Sequence, residues 1–71
     1  EREAISVRER MSETLRKLGK DRYTPIVELF TVSEGRAGVV VTFLALLELV
    51  RESLIELSQS EAFAPIYVRA C

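Results

Sequence analysis

The stretch from Ser33 to Glu52 constrains the fold more than any other part of this sequence. Ser33 is an N-cap candidate and Glu34 suits the positive end of a helix dipole, so a helix is predicted over about Glu34 to Glu52. At 100° per residue, Val39, Val40, Phe43, Leu46, Leu47 and Val50 fall on one broad arc. Gly38, Val41, Thr42, Ala45, Glu48, Leu49 and Glu52 fall on the other. The segment is apolar nearly all round, and a helix of that kind packs against neighbours on most of its circumference. In a chain of 71 residues it belongs at the centre of one small core. A single domain over residues 1–71 follows, burying about 60% of the surface its unfolded chain exposes.

The remaining elements are read outward from this helix. Ser6-Val7-Arg8-Glu9 has the spacing of a capping box, in which hydroxyl and carboxylate each satisfy the other residue's amide. Val7, Met11, Leu15 and Leu18 then form one stripe, and Gly19 follows where a left-handed C-cap is wanted, giving a first helix from about Val7 to Leu18. Glu1 to Ala4 are helix formers without a stripe, and they extend that helix or fray. Thr24-Pro25 offers an N-cap and a first-turn proline for a short second helix, Ile26 to Phe30, with Ile26, Leu29 and Phe30 on one side and Glu28 on the other. After Glu52 the period changes to two. Ile55 and Leu57 alternate with Glu56, and Ile66 and Val68 alternate with Arg69, so two short strands are predicted. Gln59 to Pro65 joins them by a loop longer than a tight hairpin turn, with Phe63 as its apolar tip. Helix, helix, helix, strand, strand is an α+β, mainly helical order: a winged helix, with three helices followed by a two-stranded hairpin wing.

Composition excludes several functions. Hydrophobic residues at 48% and charged residues at 30% make a globular mixture. The longest apolar run, Ala37 to Leu47, is well short of the roughly 20 residues of a spanning helix, and no signal segment opens the chain, so no membrane role is expected. A lone Cys71 allows no internal disulfide and fits a reducing, cytoplasmic setting. An opening Glu1 in place of Met fits a segment of a longer protein. With no histidine and one terminal thiol there is no nucleophile–base pair. Gly19, Gly35 and Gly38 match no phosphate-loop spacing, and Glu48 and Glu52 read as a solvated pair. No catalysis, cofactor or metal is expected.

Two binding functions remain. A DNA-binding winged-helix regulator would read bases with its third helix, whose outward arc is expected to carry Thr42, Ala45, Glu48 and Glu52. That arc has no Arg, Lys, Asn or Gln, and its carboxylates repel phosphate. Seven of the ten basic residues precede position 23, yet five acids share that stretch, and the net charge is −1. Direct nucleic-acid binding is therefore the weaker reading. The second starts from an apolar surplus including Val41, Leu49, Ile55, Phe63 and Tyr67. It is either all core or partly an exposed patch for another protein, with Tyr67 the best anchor.

Thr42-Phe43-Leu44-Ala45-Leu46-Leu47-Glu48-Leu49-Val50 resembles the C-terminal domain of the segregation and condensation protein A family, the bacterial kleisins. Ile26-Val27-Glu28-Leu29-Phe30 resembles the family's short helix ending in Glu-Leu-Phe. Gln59 stands where the first wing strand ends in glutamine, and Phe63 and Ile66 resemble the wing's Phe and Ile. Ala64-Pro65 and Gly38 depart from the family pattern. The resemblance implies a nucleoid-associated winged-helix protein that caps the ATPase head of the structural maintenance of chromosomes (SMC) protein, closing a ring that condenses and segregates the chromosome. It also implies that segregation and condensation protein B binds a middle region of the parent chain that is absent here. The expected contact residues are Leu54, Glu56, Phe63, Tyr67 and Arg69, above Ile55, Leu57, Ile66 and Val68, with an edge strand of the wing adding to the partner's sheet.

Overall fold

The computed structural model describes residues 6–71; the expectation for Glu1 to Ala4 lies outside them. The first helix, α1 (Val7–Lys17), forms where predicted. The Ser6 hydroxyl accepts from the Glu9 amide at 3.0 Å and the Glu9 carboxylate accepts from the Ser6 amide at 3.2 Å, so the capping box is complete. Met11 and Leu18 are buried, with Val7 and Leu15 packed at the margin. The helix ends without a left-handed glycine. Its C-cap is Leu18 in extended backbone, and the Gly19 carbonyl accepts from the Ala70 amide at 3.0 Å.

The predicted second α-helix is not formed. Thr24–Pro25 is instead a two-residue strand, β1, followed by a single 3-10 turn, Ile26–Leu29. The physical reason lies at the other end of the chain. Thr24 and Pro25 pair antiparallel with Val68 and Tyr67, and the Ile26 amide donates to the Ile66 carbonyl at 2.8 Å. Extended pairing thus wins the two residues that would have opened a helix. Proline suits the site because β1 is an edge strand. The turn still buries Leu29 and packs Ile26 and Phe30 against the core, while Glu28 is exposed.

A second 3-10 turn, Val32–Glu34, leads into α2 (Gly35–Arg51). Ser33 does not cap this helix; Gly35, at φ +68°, redirects the chain into it, a conformation that glycine alone adopts freely. The facing of α2 differs from expectation. Gly38, Thr42, Ala45, Leu46 and Leu49 are buried, so the arc carrying Thr42 and Ala45 points inward. Small residues there let α1 approach closely, and the bulky arc is displaced outward.

The chain then forms β2 (Ile55–Ser58) and β3 (Tyr67–Ala70). The hairpin is part of a three-stranded antiparallel sheet in the order β1-β3-β2, with β3 central. Ile55 pairs with Ala70, Glu56 with Arg69, Leu57 with Val68 and Ser58 with Tyr67. The architecture is α+β: two α-helices over one small sheet. Met11, Leu18, Leu29, Ala45, Leu46, Leu49, Ile55 and Val68 form the core between them, each contributing roughly 1.5–3 kcal/mol for its larger side chains.

Candidate interaction surface

The outward face of α2 is apolar along most of its length. Val39, Phe43, Leu47 and Val50 succeed one another at four, four and three residues, and Val40 and Leu44 flank them. All six are exposed; Phe43 is 55% accessible and Leu47 51%. Arg51 is the basic residue at its C-terminal end, where it forks onto Glu48, with Nε donating to Oε1 at 3.1 Å and Nη2 to Oε2. This hydrogen bonding holds the Glu48 carboxyl below its usual range. Six half-exposed side chains of this size present on the order of 500 Å² of apolar surface, an extent that marks interfaces on small domains.

A second exposed region is the outer side of the sheet. Cross-strand register puts Glu56 opposite Arg69 and Ser58 opposite Tyr67, and alternation sends Ile55 and Val68 to the core, while Ile66 is only half-buried and Leu57, expected below the contact residues, is exposed at the end of the short sheet. Among the expected contact residues, Glu56 and Arg69 are engaged with each other as an ion pair. Arg69 also donates from Nη1 to the Lys20 carbonyl at 3.1 Å and lies 5.4 Å from the centre of the Tyr23 ring. Its guanidinium ties the α1–β1 connection to the sheet. Leu54, Tyr67 and Phe63 are exposed. Phe63 is fully exposed at 102%, in left-handed backbone at φ +68°. Its loop is held by Gln59 Nε2, which donates to the Ala64 carbonyl at 2.8 Å, and by the Ala64 amide on the Glu61 carbonyl at 3.0 Å. A bulky residue in that backbone region costs of order 1–3 kcal/mol.

The longer of the sheet's two edges is β2; the other, β1, is two residues long and carries Pro25. The Cys71 amide donates to the Leu54 carbonyl and the Ala70 amide turns away to Gly19, so bonded pairs alternate from Leu54 onward. Ile55 and Leu57 therefore direct their amides and carbonyls to the open side. β3, being central, has no edge to offer.

The apolar surplus expected from sequence included Val41 and Leu49 of α2, but Leu49 is buried and Val41 half-buried; the exposed apolar residues of α2 are their neighbours Val39, Val40, Phe43, Leu44, Leu47 and Val50, bulky side chains interrupted only by Thr42, Ala45 and Glu48. Among the described residues no cluster of His, Cys, Asp or Glu could hold a metal ion, and no helix is long and apolar enough to cross a membrane. Cys71 is exposed.

The family described as segregation and condensation protein ScpA matches residues 1–71 of this chain. The chain belongs to the ScpA family. Among curated relatives, segregation and condensation protein A of Coxiella burnetii is 55% identical over 69 residues, covering 97% of this chain and 26% of the relative. The protein of the same name from Xylella fastidiosa strain 9a5c is 46% identical over 69 residues, covering 97% and 23%. That from Listeria welshimeri is 45% identical over 67 residues, covering 92% and 26%. The chain thus spans about a quarter of the length of these ScpA relatives.

Proposed function

We propose that this domain is a non-enzymatic protein-interaction module of a bacterial chromosome segregation and condensation complex, working in the cytoplasm at the nucleoid. In this reading it is a winged helix whose second helix has contracted to one 3-10 turn. It caps the SMC ATPase head and helps to close a ring around the chromosome, while segregation and condensation protein B engages another part of the parent protein. The apolar outward face of α2 carries the reading. A helix meant for DNA presents Arg, Lys, Asn or Gln side chains to the base edges, whereas this one presents Val39, Val40, Phe43, Leu44, Leu47 and Val50. ScpA family membership supplies the biological setting.

The docking surface is centred on that face. From the expected set, Leu54, Phe63 and Tyr67 offer further exposed apolar area after α2 and on the wing, and the Glu56–Arg69 pair acts by holding the sheet. An extended segment of the partner adding to the free edge of β2 would satisfy the outward groups of Ile55 and Leu57. The test is titration of the chain against the cognate SMC ATPase head. Phe43→Asp with Leu47→Asp should weaken binding at least 100-fold, because about 3 kcal/mol is lost when two central anchors become charges. Thermal stability should hold, since both side chains are already half in water. Unchanged affinity would dismiss α2 as the interface.

A further inference from the structure

The two halves of α2 are anchored by different means. Ala45, Leu46 and Leu49, the apolar residues that bury this helix in the core, lie from its middle onward. Before Ala45 the buried residues of α2 are Gly38 and Thr42, which offer almost no apolar area. No side-chain hydrogen bond caps the helix start. What this half meets is Arg10 of α1, only 3% exposed. Its Nη1 donates to Thr42 Oγ1 at 2.7 Å and to Glu34 Oε1 at 2.9 Å, and its Nη2 donates to Glu34 Oε2 at 2.6 Å. Nε lies 3.1 Å from Glu13 Oε1, an ion pair outside hydrogen-bonding geometry.

One side chain therefore grips the residue before the helix and a residue two turns into it. Gly38 stands between them on the same row. A Cβ there would come within 2.3 Å of Glu34 Cβ and 2.6 Å of Glu34 Oε1, so the row closes only because that side chain is missing. A planar fork on a carboxylate fixes orientation as well as distance, which an aliphatic contact does not. Buried ion pairs often add little net stability, and their better-attested role is to specify one arrangement.

Val39, Val40 and Phe43 of the docking face belong to this same half of α2. We propose that Arg10 is a positioning residue for the docking face, a buried clamp that sets the rotation of the N-terminal half of α2 and so presents these three side chains as one rigid array. The proposal rests on the reading of α2 as the docking face.

Amide hydrogen exchange and affinity for the cognate SMC ATPase head are measured together on wild type, Arg10→Gln, Arg10→Lys and Thr42→Val. In Arg10→Gln, amides 39–43 should exchange about tenfold faster relative to those of 45–50, which report opening of the whole molecule, and the dissociation constant should rise about tenfold. Arg10→Lys keeps the charge without the fork and should not rescue either readout. Thr42→Val keeps the Arg10–Glu34 pair and should show the same pattern at smaller size; it decides the matter if the Arg10 variants do not fold. Uniform acceleration along α2, rescue by lysine, or local acceleration with unchanged affinity overturns the proposal. If wild type does not bind the head at all, the docking reading falls, and this proposal with it.

Discussion

Ser53 occupies left-handed backbone at φ +62° immediately after α2. Its amide donates to the Val50 carbonyl at 3.0 Å and the Leu54 amide donates to the Leu49 carbonyl at 2.9 Å, the paired bonds of a Schellman ending in which glycine usually stands. Ser53→Gly should stabilise the domain by about 0.5–1 kcal/mol, because the left-handed penalty on a β-carbon exceeds the extra chain entropy of glycine. Urea denaturation would show a raised midpoint at unchanged slope. Gly38 answers to the opposite constraint. Gly38→Ala improves helix propensity yet drives a methyl into Glu34, so the same measurement should show a loss of about 1–3 kcal/mol, as for other overpacked sites. Both effects depend on torsion or close approach, and neither is written in residue type alone.

At the scale of elements, α2 also carries the clearest dependence on pH. Hydrogen bonding from Arg51 is the largest cause holding the Glu48 carboxyl below its ordinary value of 4.5. A depressed pKa in the folded state means that the pair's contribution is present above the unfolded value and disappears as the pH falls through the folded one. Wild type should thus exceed Glu48→Gln in thermal stability at pH 7, and the difference should vanish as the pH is lowered from about 4.5. A difference that persisted at lower pH would reject the pairing as its cause. The same elements show what sequence can and cannot convey. α1 is legible because its capping box and its four-residue stripe are both local. The two strands after α2 are legible in outline from period two. β1 is not, since its partner lies more than forty residues away and nothing within Thr24-Pro25 announces it. The facing of α2 is hidden for a different reason: hydrophobicity favours burying Phe43 and Leu47, whereas close approach to α1 and a hydroxyl for Arg10 favour burying Gly38, Thr42 and Ala45. Packing decides in favour of the smaller residues, and the bulky apolar face is left on the side that hydrophobicity would have hidden.

For the whole molecule, net charge and surface chemistry point the same way. A net charge of −1, with acids interleaved among the basic residues of the sequence, gives little of the counterion-release drive on which protein–DNA association depends, in keeping with the proposed protein-binding role. Titration of labelled duplex DNA into the chain at 50 and 200 mM salt should show weak binding that changes little between the two. A fall in affinity of about a thousandfold would signal several phosphate contacts and restore the DNA-binding reading.

The strand order carries a temporal consequence. Both flanking strands are made before the one that joins them, so on a ribosome Thr24–Pro25 and Ile55–Ser58 emerge with nowhere to pair. The sheet waits for Tyr67–Ala70, and Leu46 and Leu49 on the inner side of α2 wait for Val68 to complete their core. During that interval the nascent chain exposes two raw edges beside an oily helix, the state in which chaperones or early assembly matter most.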